Sequence, residues 1–272
     1  MSRPFGSARS ARVRPARTLD DAAAWIDAVG IALVFGKADV VLPALWDAIA
    51  DPADREWAIR DEQGAFVSFT PEFDRLWRWK DELPERRRAC AGRHLARGAA
   101  ALIARGLVAA VYALTERPGM PEDFRDVELS PLERELAEAV LEAGPASAPE
   151  LRRLLGTDDK KSVDKAIELL HRAAVLTNAG VVEQEHGWAA GRHDLFARRW
   201  RRWLKRVPSK EEARRALATA VLRSAGEVSA ADVAAALAWR RKEAAAVLDE
   251  LADAGRAKTR EEDAIRLWTA VR

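Results

Sequence analysis

The sequence predicts a mainly α-helical chain with small β-hairpin wings, whose second half is built as tandem winged helix-turn-helix modules. Two observations carry this expectation. Helix start and stop signals recur in the same order twice between Leu129 and the C-terminus. In both copies the last helix runs into short β-prone segments around a turn.

In the first copy, Ser130 is a helix cap, Pro131 suits the first helical position, and Glu133 can reach back to close a capping box. The stripe Leu132, Leu136, Ala139 and Val140 has helical spacing, and Gly144-Pro145 ends it. Ser147 caps a short helix carrying Leu151, Leu154 and Leu155, Gly156 closes it, and a third helix is expected from about Lys161 to Ala174. Val175 to Thr177, a turn at Asn178, Ala179 and Gly180, and Val181-Val182 read as the wing hairpin.

The second copy opens with Ser209 and Glu212 and runs to Gly226. Ser229 caps the next short helix, and a third spans about Arg240 to Ala254, with Val247, Leu248 and Leu251 inward. Arg256 to Thr259 and Ile265 to Trp268 form the second wing across an acidic turn.

The first half is less regular. A helix is expected from Thr18 to Gly30, an apolar run over Ile31 to Phe35, and a second helix from Pro43 through Ile49. A turn at Gln63-Gly64, a strand over Ala65 to Phe69, and a helix capped by Thr70 with Pro71 at its first turn follow. The resulting division is a disordered basic arm (1–17), a mixed, mostly helical N-terminal domain (18–128), a winged helix (129–191), a basic linker helix (192–208) and a second winged helix (209–272). The N-terminal domain is a candidate for a degenerate third winged helix.

Composition narrows the function. With 49% hydrophobic residues in 272, the chain can bury a core in each of two or three small domains. Arg60, Lys80, Arg105 and Arg117 interrupt the longest apolar stretches, so no membrane role is expected. Cys90 is the single cysteine, which excludes an intramolecular disulfide and a thiolate zinc cluster and points to a reducing compartment; a cytoplasmic, nucleoid-associated protein is expected. His94, His171, His186 and His193 lack metal-binding spacing, and no glycine-rich phosphate loop or nucleophile elbow is present. Neither metal nor cofactor is expected.

The net charge of +2 conceals strong clustering. Arg3, Arg9, Arg12, Arg14 and Arg17 lie in the arm without an acidic residue. The segment from Phe196 to Arg206 carries Arg198, Arg199, Arg201, Arg202, Lys205 and Arg206 around Trp200 and Trp203. A helix there would pack its aromatic face on a module and project its arginines outward, toward phosphates. The third helices begin with Lys160, Lys161 and Lys165 in one copy and Arg240, Arg241 and Lys242 in the other, where a helix-turn-helix meets a groove. Duplex DNA is therefore the expected partner and a monomer the expected state, since the repeat supplies two DNA-facing modules. A further segment, Trp77-Arg-Trp-Lys-Asp-Glu-Leu-Pro84, offers Trp77 and Trp79 for base stacking and Lys80, Asp81 and Glu82 as weak catalytic candidates. The same residues would equally serve as core anchors and solvated charges.

From Thr18 onward the chain resembles the AlkZ/YcaQ-related tandem winged-helix family. The resemblance rests on Ala28-Val-Gly-Ile-Ala-Leu-Val-Phe35, Leu42-Pro-Ala-Leu-Trp46, the Trp77 to Pro84 segment, the run from Leu129 through Gly144-Pro145 to Arg153, and the hairpin leading to Trp188. It implies a concave, DNA-cradling surface and DNA glycosylases acting on bulky alkyl adducts and crosslinks. The family's Gln-aliphatic-Gln or Gln-aliphatic-Asp catalytic motif is not matched, because Gln63 and Gln184 are the only glutamines and neither stands in that pattern. The C-terminal β-barrel of the long enzymes is also expected to be lacking. The expectation is a DNA-binding protein recognising damaged or modified duplex DNA, with glycosylase activity open. A non-catalytic transcriptional regulator and a protein-interaction module are the competing readings.

Overall fold

The computed structural model describes residues 15–51, 56–186 and 188–271, so Arg3, Arg9, Arg12 and Arg14 of the expected arm lie outside the described residues. Ala16 is buried and its amide donates to the Ala48 carbonyl, so residues 15–17 belong to the first folded unit.

That unit begins with α1 (Leu19–Val29), where Thr18 and Asp21 form a capping box. It continues with β1 (Ile31–Leu33) and α2 (Leu45–Ile49), then a hairpin of β2 (Ala58–Arg60) and β3 (Phe66–Phe69). Next come α3 (Pro71–Glu85), β4 (Cys90–Gly92) and β5 (Ala101–Ile103). The antiparallel sheet has the order β1-β5-β4. A connecting helix, α4 (Val108–Ala113), follows.

The second unit runs α5 (Pro131–Ala143), β6 (Ala146–Ser147), α6 (Ala148–Leu155), α7 (Lys160–Arg172), β7 (Leu176–Val182) and β8 (Ala190–Leu195). The order in its sheet is β6-β8-β7. The third unit runs α9 (Lys210–Ala225), β9 (Glu227–Ser229), α10 (Ala230–Leu237), α11 (Arg241–Asp253), β10 (Ala257–Glu262) and β11 (Ile265–Ala270), again with the last strand in the middle. Helix, strand, helix, helix, strand, strand thus occurs three times. The β2-β3 hairpin, inserted between the second and third helices, disguises the first copy.

Two sequence expectations need correction here. The first wing does not turn back at residues 178–180. Asn178 accepts a hydrogen bond from the Gly180 amide through its side chain, which, with φ +107° at Gly180, makes a bulge inside β7. The strand then continues to Val182 and pairs with β8, so the chain turns back only after Val182. Residues 192–195, expected in the linker helix, are therefore strand. What remains of that helix is α8 (Phe196–Trp200), followed by turns.

The three units are not separate beads. Ile31, Leu33, Cys90, Ala101 and Ile103 join a core shared with α4, α8 and the third unit, whereas Ala32, Val34, Ala91, Leu102 and Ala104 face a core made with α1, α2 and α3. The first sheet is covered on both faces, which is why its strands read as unbroken apolar runs rather than alternating ones. At Gly30 a Cβ would come within 2.9 Å of Ala220 Cβ, so the end of α1 packs directly on α9. The second unit keeps its own core around Leu136, Val140, Leu151, Val163 and Leu170.

Candidate nucleic-acid interface

The N-terminus of α7 is capped by Asp159, whose side chain accepts from the Ser162 amide; the Ser162 side chain first, and its amide second, hold the Asp159 carboxyl below the usual range. Lys160 and Lys161 follow, both exposed and, among the described residues, without a salt bridge. Lys165, one turn further on, bridges to Glu168 at 3.6 Å. At the start of α11, Arg240, Arg241 and Lys242 are exposed and, among the described residues, likewise lack salt bridges. The neighbouring carboxylate, Glu243, is taken by Arg214 on α9. Both helix starts therefore present cations that are free to engage an external anion.

The basic segment after β8 behaves differently from the expectation of outward arginines. Arg199 is 7% exposed and donates to the Pro84 and Glu85 carbonyls at 2.5 and 3.1 Å, the C-terminal end of α3. Arg198 donates to the Val140 and Leu141 carbonyls at 2.9 and 3.0 Å, near the end of α5. Both reach Asp194, Arg198 at 2.7 Å and Arg199 at 3.9 Å. Two adjacent arginines thus cap helices from two units, where a cation meets the negative end of each helix dipole. They are removed from the set of phosphate-facing residues. Arg201, Arg202, Lys205 and Arg206 remain exposed, while Trp200 is fully buried.

The Trp77 to Pro84 segment lies on α3, and its residues divide by face. Trp79 is 3% exposed and part of the core, so it is not a stacking residue; helical periodicity alone does not tell it from Trp77. Trp77 is 37% exposed. The Lys80 ammonium sits 4.2 Å from the centroid of the Trp77 ring and 2.6 Å from the Asp81 carboxylate. Burial raises the Asp81 carboxyl above its ordinary pKa, against the lowering effect of Lys80. Glu82 instead bridges Arg78 and Arg86 along the helix.

Lys80 and Asp81 open onto a cleft of roughly 720 Å³ between the first and second units, whose other side carries Lys161, Asp164 and Lys165 of α7. Two residue sets that lie far apart in sequence are brought together here. Deeper in are His171 and His193, which sequence spacing left without a role. His171 Nε2 and His193 Nδ1 are 2.9 Å apart, and His94 Nδ1 contacts the His171 carbonyl at 2.5 Å. Burial pushes His94 and His193 down to about 4, and His171 well below its usual value. All are neutral imidazoles at neutral pH. No group of His, Cys, Asp and Glu among the described residues is arranged to hold a metal ion, and none of the described helices is long and apolar enough to cross a membrane.

Fold and interface define a class: a mainly helical protein with small antiparallel sheets and two exposed basic helix starts. The chain belongs to the AlkZ-related family, whose model matches residues 16–238. Among solved structures it is similar to the DNA glycosylase AlkZ of Streptomyces sahachiroi, with 13% identity, a TM-score of 0.44, and coverage of 67% of this chain and 52% of that one. The DIP2311 protein of Corynebacterium diphtheriae matches at 18% identity and a TM-score of 0.22, covering 75% of this chain and 40% of that one. The chain thus spans about half or less of the length of either. No curated protein matches.

Proposed function

We propose that this chain is a triple winged-helix protein that binds duplex DNA and recognises damaged or modified sites, as a monomer in the cytoplasm at the nucleoid. The reading rests above all on the exposed, unbridged cations that open α7 and α11, the position from which a third helix of this order meets a groove. Family membership supports it, since the AlkZ of Streptomyces sahachiroi is a DNA glycosylase. Lys80 and Asp81 are the residues placed to act on a bound nucleotide. A carboxylate in partial burial beside a lysine can stabilise a cationic sugar or accept a proton.

The test is binding to labelled plain and alkylated duplexes across a salt series, with alkaline cleavage of the same samples to reveal abasic sites. Replacing Lys160, Lys161, Arg240, Arg241 and Lys242 by alanine is expected to weaken binding and to flatten the slope of log K against log salt by about 4, near 0.9 for each lost phosphate contact. Abasic sites in the modified duplex, lost in Asp81→Asn, would add a glycosylase activity. Binding without them leaves a recognition protein or regulator. Absence of any salt-sensitive complex would reject the DNA reading in favour of a protein-interaction module.

The exposed segment after α8 is separable from the two arginines inside it. Replacing Arg201, Arg202, Lys205 and Arg206 by alanine is expected to reduce the salt slope while leaving thermal stability within about 0.5 kcal/mol. An unchanged slope would take this segment out of the interface.

A further inference from the structure

Resting on the DNA-binding reading above, we propose that the cleft between the first two units receives a single unstacked nucleobase, with the adjoining phosphate held at its rim by Lys161. Its size suits such a guest: roughly 720 Å³ falls in the range of about 300–1,000 Å³ in which small-molecule sites are found.

The lining is graded in polarity. Lys161 at the rim is exposed and, among the described residues, forms no salt bridge, whereas Lys80 and Lys165 are paired with Asp81 and Glu168. Arg93 also lines the cleft without a salt bridge among the described residues but donates to the Gly98 carbonyl at 2.9 Å, which leaves Lys161 for a phosphate. Deeper in, the cleft presents Asn178, His171 and His193, all uncharged at neutral pH. A neutral imidazole or amide offers both donor and acceptor, which matches the edge of a base rather than an anion. His171 is almost fully buried, and its Nδ1 has no hydrogen-bond partner among the described residues.

Aromatic rings supply the stacking surface. Phe35 lines the cleft and its ring lies 6.2 Å from that of Trp77. Trp188, on the turn between β7 and β8, meets Trp77 edge-on at 5.6 Å and is 75% exposed. An indole so exposed buries little apolar area in the free protein, and its open face is available to a base.

The experiment compares the full chain on three duplexes of one sequence: fully paired, with one bulged nucleotide, and with the same bulge made abasic. The bulged nucleotide is expected to bind about tenfold tighter than the paired duplex, about 1.4 kcal/mol, and the abasic bulge to lose that preference. Trp188→Ala and Asn178→Ala are each expected to shrink the preference, with unfolding temperature measured to show that the variants fold. Equal affinity for nucleotide and abasic bulges, with paired-duplex binding intact, overturns the base cleft and leaves the DNA reading standing. Absence of binding to all three duplexes overturns both.

Discussion

Replacing Arg199 by alanine is expected to destabilise the protein by about 2–4 kcal/mol, the loss of two hydrogen bonds donated by a buried cation to the end of α3. Asp194 is only 4% exposed but keeps Arg198 at 2.7 Å, and the Pro84 carbonyl keeps the Arg87 amide, so the loss is confined to the bonds that Arg199 itself donates. For a chain of this size the fall in unfolding temperature is about 4–8 °C. Lysine at the same position keeps a charge but loses the planar fork that reaches both carbonyls, so Arg199→Lys should recover only part of the loss. Arg201→Ala, two residues on and exposed, is the control and should change stability by less than about 0.5 kcal/mol. Thermal or urea unfolding of the three variants decides the matter. Equal stability of Arg199→Ala and Arg201→Ala would mean that the basic segment is solvated throughout.

A second large effect is expected in mild acid. His94, His171 and His193 are buried with their pKa values depressed, the first and last to about 4, and burial is the leading cause in each. Unfolded, each would titrate near 6.5. Below about pH 6.5 the unfolded chain therefore binds protons that the folded chain excludes. Stability is complete above that pH and falls as the pH drops toward 4. The His171 carbonyl beside His94 offsets only part of the burial. Arg117 faces His94, Arg93 faces His171, and both oppose a further positive charge. By about pH 4.5 the loss is on the order of 3 kcal/mol for each fully excluded histidine. The acidic caps Glu150 and Glu212 have depressed pKa values, the Ser147 and Ser209 amides leading, so their contribution is lost only at lower pH. Urea unfolding at pH 7.5 and at pH 5 measures the effect, and His193→Gln should reduce the difference between them. Stability unchanged between the two would show that the imidazoles accept protons without opening the fold.

Local chemistry made the helices legible. Thr18, Thr70, Ser130, Ser147, Ser209 and Ser229 each cap the helix that the sequence places after them, because a cap is read from three or four adjacent residues. What escaped was set by distant partners. Arg199 and Pro84 are 115 positions apart, so a buried cap looked like a phosphate clamp. The first copy of the repeated order was obscured by the inserted β2-β3 hairpin and by strands of three residues whose double burial removes the alternating pattern. The cleft was invisible for the same reason. Lys80 and Lys161 approach only because α3 packs on β7, closely enough that a Cβ at Gly180 would lie 2.8 Å from Glu85 Cβ.

The sheet covered on both faces sets how the molecule can be taken apart. A fragment cut before Ser209 would strip α9 from the core that Ile31, Leu33 and Ile103 share with it, while the excised C-terminal piece would expose Ala213, Leu217 and Val221. Neither fragment is a sound reagent for assigning DNA contacts to one copy or another. Limited proteolysis should find no cut that releases a stable first or third unit, and their melting should register as a single transition. Point substitutions in the intact chain are the right tool for dissecting the interface.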